Sequence, residues 1–125
     1  MKDTRPIHLN LFQIKFPVTA IISILHRISG FILFFCIPLL LWALDCSLSS
    51  AQGFDCIQSI IVGNMAGKII TWLVLAMLCY HLLAGIRHLL MDWGCFETLR
   101  GGKISSWVVI VLAVILIILL GVWLW

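Results

Sequence analysis

The sequence predicts an all-α membrane protein with three transmembrane helices and a short N-terminal interfacial segment. Hydrophobic residues make up 63% of the 125 residues and charged residues only 10%, whereas a soluble domain carries about 25% charged residues. The mean hydropathy is +1.19. Runs of about twenty apolar residues can cross a hydrocarbon core of about 30 Å. Because lipid offers no hydrogen bonds to the backbone, such runs are predicted to be helices.

The first predicted span covers residues 23–44, with a mixed segment before it. That segment, LNLFQIKFPVTAI, contains Pro17 and is predicted to lie on the membrane surface. About two dozen polar and mixed residues precede the apolar run, so we expect no cleaved signal peptide. Pro38 lies inside the span and is expected to kink the helix, because proline lacks the backbone N–H.

The second and third spans are predicted at residues 69–90 and 107–125, which makes residues 1–125 a single membrane domain. The first loop contains SLSSAQGFDCIQ and is expected to be a turn-rich connector. Tryptophans near span ends are typical of the aromatic belts at membrane interfaces. They are Trp42, Trp72, Trp107, Trp123 and Trp125.

Basic residues are concentrated before the first span and between the second and third spans. The loop between the first and second spans holds Asp45, Asp55 and only Lys68. The positive-inside rule then places the N-terminus in the cytoplasm and the C-terminus in the periplasm. We expect a multi-pass protein of the bacterial cytoplasmic (inner) membrane, in contact with lipid and with no nucleic-acid partner.

The five cysteines form no CxxC pair, so zinc binding and thiol redox chemistry are weakly supported. Cys46 and Cys56 share the first loop and could form a disulfide only in an oxidising compartment. The sequence leaves that pairing open.

The second span carries polar residues at helical spacing. His81, Gly85 and His88 are four and three residues apart, so they share one helix face. His81 lies about 9 Å deeper than Arg87 at a rise of 1.5 Å per residue, and ionisable groups at such depth indicate function. His81 is interpreted as a hydrogen-bonding residue, part of a proton path, or an axial haem ligand. Gly85 would allow either close helix packing or the approach of a flat cofactor.

Nearer to water, His88 lies four residues before Asp92, a spacing that predicts pairing of the two side chains. A surface or propionate-contacting role is favoured for His88 over metal ligation. Arg87 is expected to extend towards lipid headgroups, as interfacial arginines commonly do.

At the start of the first span, Ser23 and Arg27 form an i,i+4 pair on one face. Their hydroxyl and guanidinium groups could hold a carbonyl oxygen of a small amphiphile at the membrane surface. Alternatively, His26 and Arg27 are simple positive-inside anchors. Both polar clusters are expected at the same, cytoplasmic, membrane face.

Two motifs resemble the cytochrome b subunit of succinate dehydrogenase, the large membrane anchor of respiratory complex II, in its bacterial form. RPIHLNLFQIKFPVTAIISILHRISG contains SxxHRxxG, and YHLLAGIRHLLMDWG contains HxxxGxRHLxxD. The first motif comprises Ser23, His26, Arg27 and Gly30. The resemblance covers nearly the full chain, including the three spans and their spacing.

The resemblance implies that His81 is one axial ligand of haem b and that the small anchor subunit supplies the second histidine. It also implies a ubiquinone site that includes Ser23, Ile24 and Arg27, supported by Asp92. The residues implied in haem contact are His26, Arg27, His81, Gly85 and His88.

The expected partners are the small membrane-anchor subunit, the iron–sulfur subunit and the flavoprotein subunit. The chain is not expected to be catalytic alone, since it has no flavin fingerprint and no cysteine cluster for iron–sulfur ligation. Three alternatives remain open: a haem-free anchor of a fumarate reductase-type complex, a small proton-conducting protein using His81 and Asp92, and a structural assembly subunit.

Overall fold

Four helices form most of residues 15–125, the range that the computed structural model describes. Three of them are long and apolar enough to span a membrane, which confirms the predicted fold class. In chain order the helices are α1 (Val18–Ser49), α2 (Ala51–Val62), α3 (Met65–Asp92) and α4 (Leu99–Leu124).

The long helices extend beyond the predicted spans. With 32 residues, α1 is about 48 Å long at 1.5 Å per residue, which exceeds a hydrocarbon core of about 30 Å. Pro38 lies inside this helix, which continues on both sides of it; the kink stays a prediction. Residues 9–14 of the predicted interfacial segment lie outside the described residues, and from Val18 onward that segment belongs to α1.

The prediction of a turn-rich first loop was wrong, because 12 residues of it form α2. One of the serines that suggested turns is instead a helix-capping residue. The Ser50 side chain accepts a hydrogen bond from the Gly53 N–H at 3.0 Å, which caps the helix N-terminus. Ile57 is buried, and α2 packs against α1 and α3. Cys46 and Cys56 are both free thiols.

The turn between α3 and α4 has the geometry of a Schellman motif. The Gly94 N–H bonds to the Met91 carbonyl and the Cys95 N–H to the Leu90 carbonyl, both at 2.9 Å. Gly94 has a φ of 83°, a left-handed conformation that glycine adopts without a Cβ clash. The motif reverses the chain sharply, so α4 returns antiparallel along α3.

Polar bonds between helices fix how they pack. Near one end of the bundle, the Trp72 indole on α3 donates to the Ile117 carbonyl on α4 at 3.0 Å. Few residues in the most apolar stretches of the long helices are buried, at most 11% in any of them. Most of the apolar helix surface must therefore face lipid tails or other subunits.

Candidate functional site

Three histidines meet where the first part of α1 faces the last part of α3. The rings of His26 and His81 are stacked, with centroids 4.2 Å apart and an interplanar angle of 16°. The His88 ring centroid lies 5.1 Å from that of His26 at an angle of 40°. These three residues form the histidine cluster. A Cβ added to Gly85 would lie 3.3 Å from His26 Nε2, so the predicted stripe of His81, Gly85 and His88 faces α1.

The His81 ring is held by two oxygen atoms of α1. Its Nδ1 lies 3.1 Å from Ser29 Oγ and 3.1 Å from the His26 carbonyl oxygen. A carbonyl oxygen only accepts hydrogen bonds, so we assign the hydrogen of the neutral imidazole to Nδ1. In this tautomer Nε2 keeps its lone pair and is able to bind a metal.

Gly30 provides the space that the His81 ring occupies. A Cβ at this position would lie 2.8 Å from His81 Cε1, closer than van der Waals contact allows. The glycine of the SxxHRxxG motif therefore has a steric role, which depends on a contact between two helices and was not predicted from the motif alone.

One nitrogen of the histidine cluster lacks a partner. His26 Nε2 is buried and makes no hydrogen bond with any described residue. A buried unsatisfied polar atom costs about 1–3 kcal/mol, so this position favours an additional group with hydrogen-bonding capacity, such as a cofactor carboxylate.

The described residues offer no complete metal site of their own. Between residues 15 and 125, no group of three or more His, Cys, Asp or Glu side chains is placed to hold a metal ion. His26 and His81 cannot be opposite ligands of one metal, because their rings lie face to face. A haem needs only axial side chains from the protein, so His81 fits as one ligand if another chain supplies the second.

The predicted quinone residues lie on the same turns of α1 as His26. Ser23 is half-buried, whereas Ile24 and Arg27 are exposed, with Ile24 at 51%. Ser23 and Arg27 thus lie at the same end of the helix bundle as the histidine cluster. The exposed Arg27 side chain can be reached by a ligand or by another subunit.

Arg87 does not extend to the headgroups as expected. It is only 3% exposed, and its Nε donates to Ser105 Oγ at 3.0 Å while an Nη donates to the Gly102 carbonyl at 3.2 Å. The first turns of α4 therefore satisfy the guanidinium inside the protein. Both acceptors, the Ser105 hydroxyl and the Gly102 carbonyl, lie in the segment GGKISS, which the sequence interpretation did not connect with Arg87.

The predicted pairing of His88 with Asp92 is not observed. Asp92 is exposed at the last residue of α3, and no hydrogen bond joins the two side chains in the described part of the chain.

The sequence analysis did not single out Ser29, which contacts His81 Nδ1. Its position three residues after His26, next to Gly30, was the available signal.

Sequence comparison shows which known proteins this chain is similar to. The sequence model of the family described as succinate dehydrogenase/fumarate reductase transmembrane subunit matches residues 1–120. The succinate dehydrogenase cytochrome b556 subunit of Coxiella burnetii is 43% identical over 125 residues, which cover 100% of both chains. The subunit of the same name from Paracoccus denitrificans is 34% identical over 118 residues, or 94% of this chain and 90% of the relative. That from Rickettsia typhi is 34% identical over 120 residues, covering 96% and 93%.

Proposed function

The chain belongs to the family of succinate dehydrogenase cytochrome b subunits, which are transmembrane anchors, and from that premise we propose that it shares one haem b with a second anchor subunit and helps to form a ubiquinone-reduction site. The flavoprotein and iron–sulfur subunits of the complex would supply electrons from succinate. The chain would act as an anchor and binding subunit and perform no chemistry alone.

The arrangement around His81 is the observation that carries the proposal. The Nδ1 atom is engaged by two oxygens of α1, which leaves Nε2 as the free donor atom for iron. Metal-ligating histidines commonly donate their other N–H to a backbone or side-chain oxygen in this way. When bound, a haem with two histidine ligands has no open position and supplies reversible electron transfer.

The other residues of the histidine cluster would serve the edge of the haem. His26 has an unpartnered buried nitrogen, and the ring centroids of His26 and His88 lie 5.1 Å apart. Together with Arg27 they would donate hydrogen bonds to the anionic propionates. Gly85 would keep the α3 face free of a side chain that would crowd His26.

We propose that Ser23, Ile24 and Arg27 bind the quinone head group. A hydroxyl and a guanidinium both donate hydrogen bonds, and donors near a quinone oxygen stabilise the negative charge that develops on reduction. Ile24 would contact the ring with its apolar side chain. Asp92, exposed at the same end of the bundle, would support this polar region and lies where protons from water can enter.

We further propose that the histidine-cluster end faces the cytoplasm in a bacterial inner membrane. Arg27 and the exposed Arg100 and Lys103 lie at this end, whereas Asp45 and Asp55 lie at the other. Positive side chains are retained preferentially on the cytoplasmic side. This orientation brings the quinone residues to the side where the soluble subunits would dock.

The haem proposal is tested on the purified complex with a pyridine haemochrome assay. We expect haem in the wild type and its loss in His81→Leu. His88→Leu serves as the comparison and should retain haem, since His88 is proposed to contact the cofactor without ligating iron. A wild-type complex without haem would refute the proposal and favour a haem-free anchor. Unchanged haem in His81→Leu would place the ligand elsewhere.

The quinone proposal needs a separate assay. Ser23→Ala and Arg27→Leu should each lower succinate-dependent quinone reduction about 10-fold or more, because removed donors to a developing negative charge cost about 10²–10³ at other sites. Succinate oxidation with a soluble electron acceptor should be unaffected. Ser47→Ala, an exposed serine variant near the other end of α1, is the matched control. Normal quinone reduction in both site variants would leave only an assembly role for these residues.

A further inference from the structure

We propose that Ser29 is a positioning residue that fixes the orientation and tautomer of the His81 imidazole for iron binding. The inference rests on the proposed function, because it assigns a role towards the haem that His81 would ligate. Ser29 does not touch the iron in this proposal; it acts through the His81 ring.

The first argument is the convergence of three polar groups. Ser29 Oγ donates to the His26 carbonyl at 2.8 Å, and both oxygens lie 3.1 Å from His81 Nδ1. With its hydrogen committed to the carbonyl, the Ser29 hydroxyl offers its lone pairs to the Nδ1 hydrogen. Two acceptors therefore face one donor, and the tautomer with a free Nε2 is favoured.

The second argument is the enclosure of the ring. The His81 ring occupies the space where a Cβ of residue 30 would lie, and the His26 ring covers a face of it, with the ring centroids 4.2 Å apart. A half-turn of the imidazole would put a carbon where Nδ1 now lies and would lose both oxygen contacts. Ser29 is 5% exposed, so water cannot readily replace its hydroxyl.

The contact with His81 distinguishes Ser29 from other serines of the chain. A serine that bonds back to the carbonyl three residues earlier is common in helices. Ser47 does this with the Leu44 carbonyl at 2.8 Å, on the same helix, and makes no hydrogen bond with a histidine of residues 15–125. The backbone bond alone therefore has no functional meaning, and Ser47 provides a control that removes that bond without the Nδ1 contact.

The test compares Ser29→Ala, Ser29→Cys and Ser47→Ala in the intact purified complex. Three properties are measured: the haem content, the rate of haem transfer to excess apomyoglobin, and the midpoint potential and electron paramagnetic resonance spectrum of the haem. Loss of a residue that hydrogen-bonds to a metal ligand typically weakens metal binding 10–100-fold. We expect haem loss faster by about that factor in Ser29→Ala, with Ser47→Ala behaving as the wild type.

The midpoint potential separates positioning from a purely structural role. A hydrogen bond accepted from Nδ1–H makes the imidazole a stronger donor to iron, so its loss should raise the potential and change the resonance spectrum. Ser29→Cys keeps a side chain of similar shape with a weakly accepting sulfur and decides the question if Ser29→Ala does not assemble. A wild-type potential and spectrum in the assembled variants would overturn the inference. Absence of haem in the wild type would instead refute the proposed function.

Discussion

Gly30→Ala is predicted to displace the His81 ring and weaken haem binding while leaving the helices intact. The added Cβ would lie 2.8 Å from His81 Cε1. An ordinary contact begins at about 3.4 Å, so the ring must move away from α1 by about 0.6 Å. Movement in that direction lengthens the 3.1 Å contacts of Nδ1 with Ser29 and the His26 carbonyl to as much as about 3.7 Å, beyond hydrogen-bonding distance.

The expected effects on stability and on haem binding differ in size. Overpacking costs about 1–3 kcal/mol, and alanine in place of glycine in a helix returns about 0.8–1.0 kcal/mol. The free energy of unfolding should therefore fall by about 2 kcal/mol or less. Haem affinity should fall about 10–100-fold, as for other losses of outer-shell support to a metal ligand.

The assay is haem content and haem transfer rate in the purified complex, with thermal unfolding measured in parallel. Gly102→Ala is the matched control, because its Cβ would lie 3.6 Å from Thr19 Cγ2 and 3.7 Å from the Phe96 carbonyl oxygen, which are ordinary contacts. Gly102→Ala should keep its haem and lose no stability. Wild-type haem binding in Gly30→Ala would show that the His81 ring position is not set by this glycine.

Three further predictions concern the contacts that hold the helices. Ser105→Ala leaves the buried Arg87 Nε without its 3.0 Å partner and should lower the free energy of unfolding by about 1–3 kcal/mol; unchanged thermal unfolding would show that this hydrogen bond does not stabilise the fold. Tyr80→Phe removes a 2.9 Å hydrogen bond to the Ile22 carbonyl and should lower the free energy of unfolding by about 1 kcal/mol. Equal melting temperatures of the variant and the wild type would contradict this prediction. Asn64→Ala removes the N-cap of α3 and should lower the free energy of unfolding by about 1 kcal/mol. The haem spectrum should stay unchanged, and a changed spectrum would contradict this prediction.

Hydrophobicity and spacing were sufficient to predict the three long helices and the shared face of His81, Gly85 and His88. These properties depend on helical periodicity, which is visible in a single sequence. The α2 helix was missed because Ser50 reads equally well as a turn residue or as an N-cap. The roles of Ser29 and Arg87 depend on which residue of a neighbouring helix lies opposite, and periodicity holds no information on that register.

The polar bonds near the histidine cluster determine the register of α3 against its neighbouring helices. Inside lipid there is no hydrophobic force between helices, so packing and interhelical hydrogen bonds decide how they align. Tyr80 and His81 are consecutive on α3, and they bond to the α1 carbonyls of Ile22 and His26, which lie one helical turn apart. A slip of one residue would rotate the His81 ring by about 100° and break both bonds, while Arg87 on the same helix would lose its contacts with α4. These four bonds therefore select one alignment, and in that alignment His81 lies between Gly30, Ser29 and His26. The alignment that satisfies the buried polar groups is thus the same one that prepares His81 for a ligand.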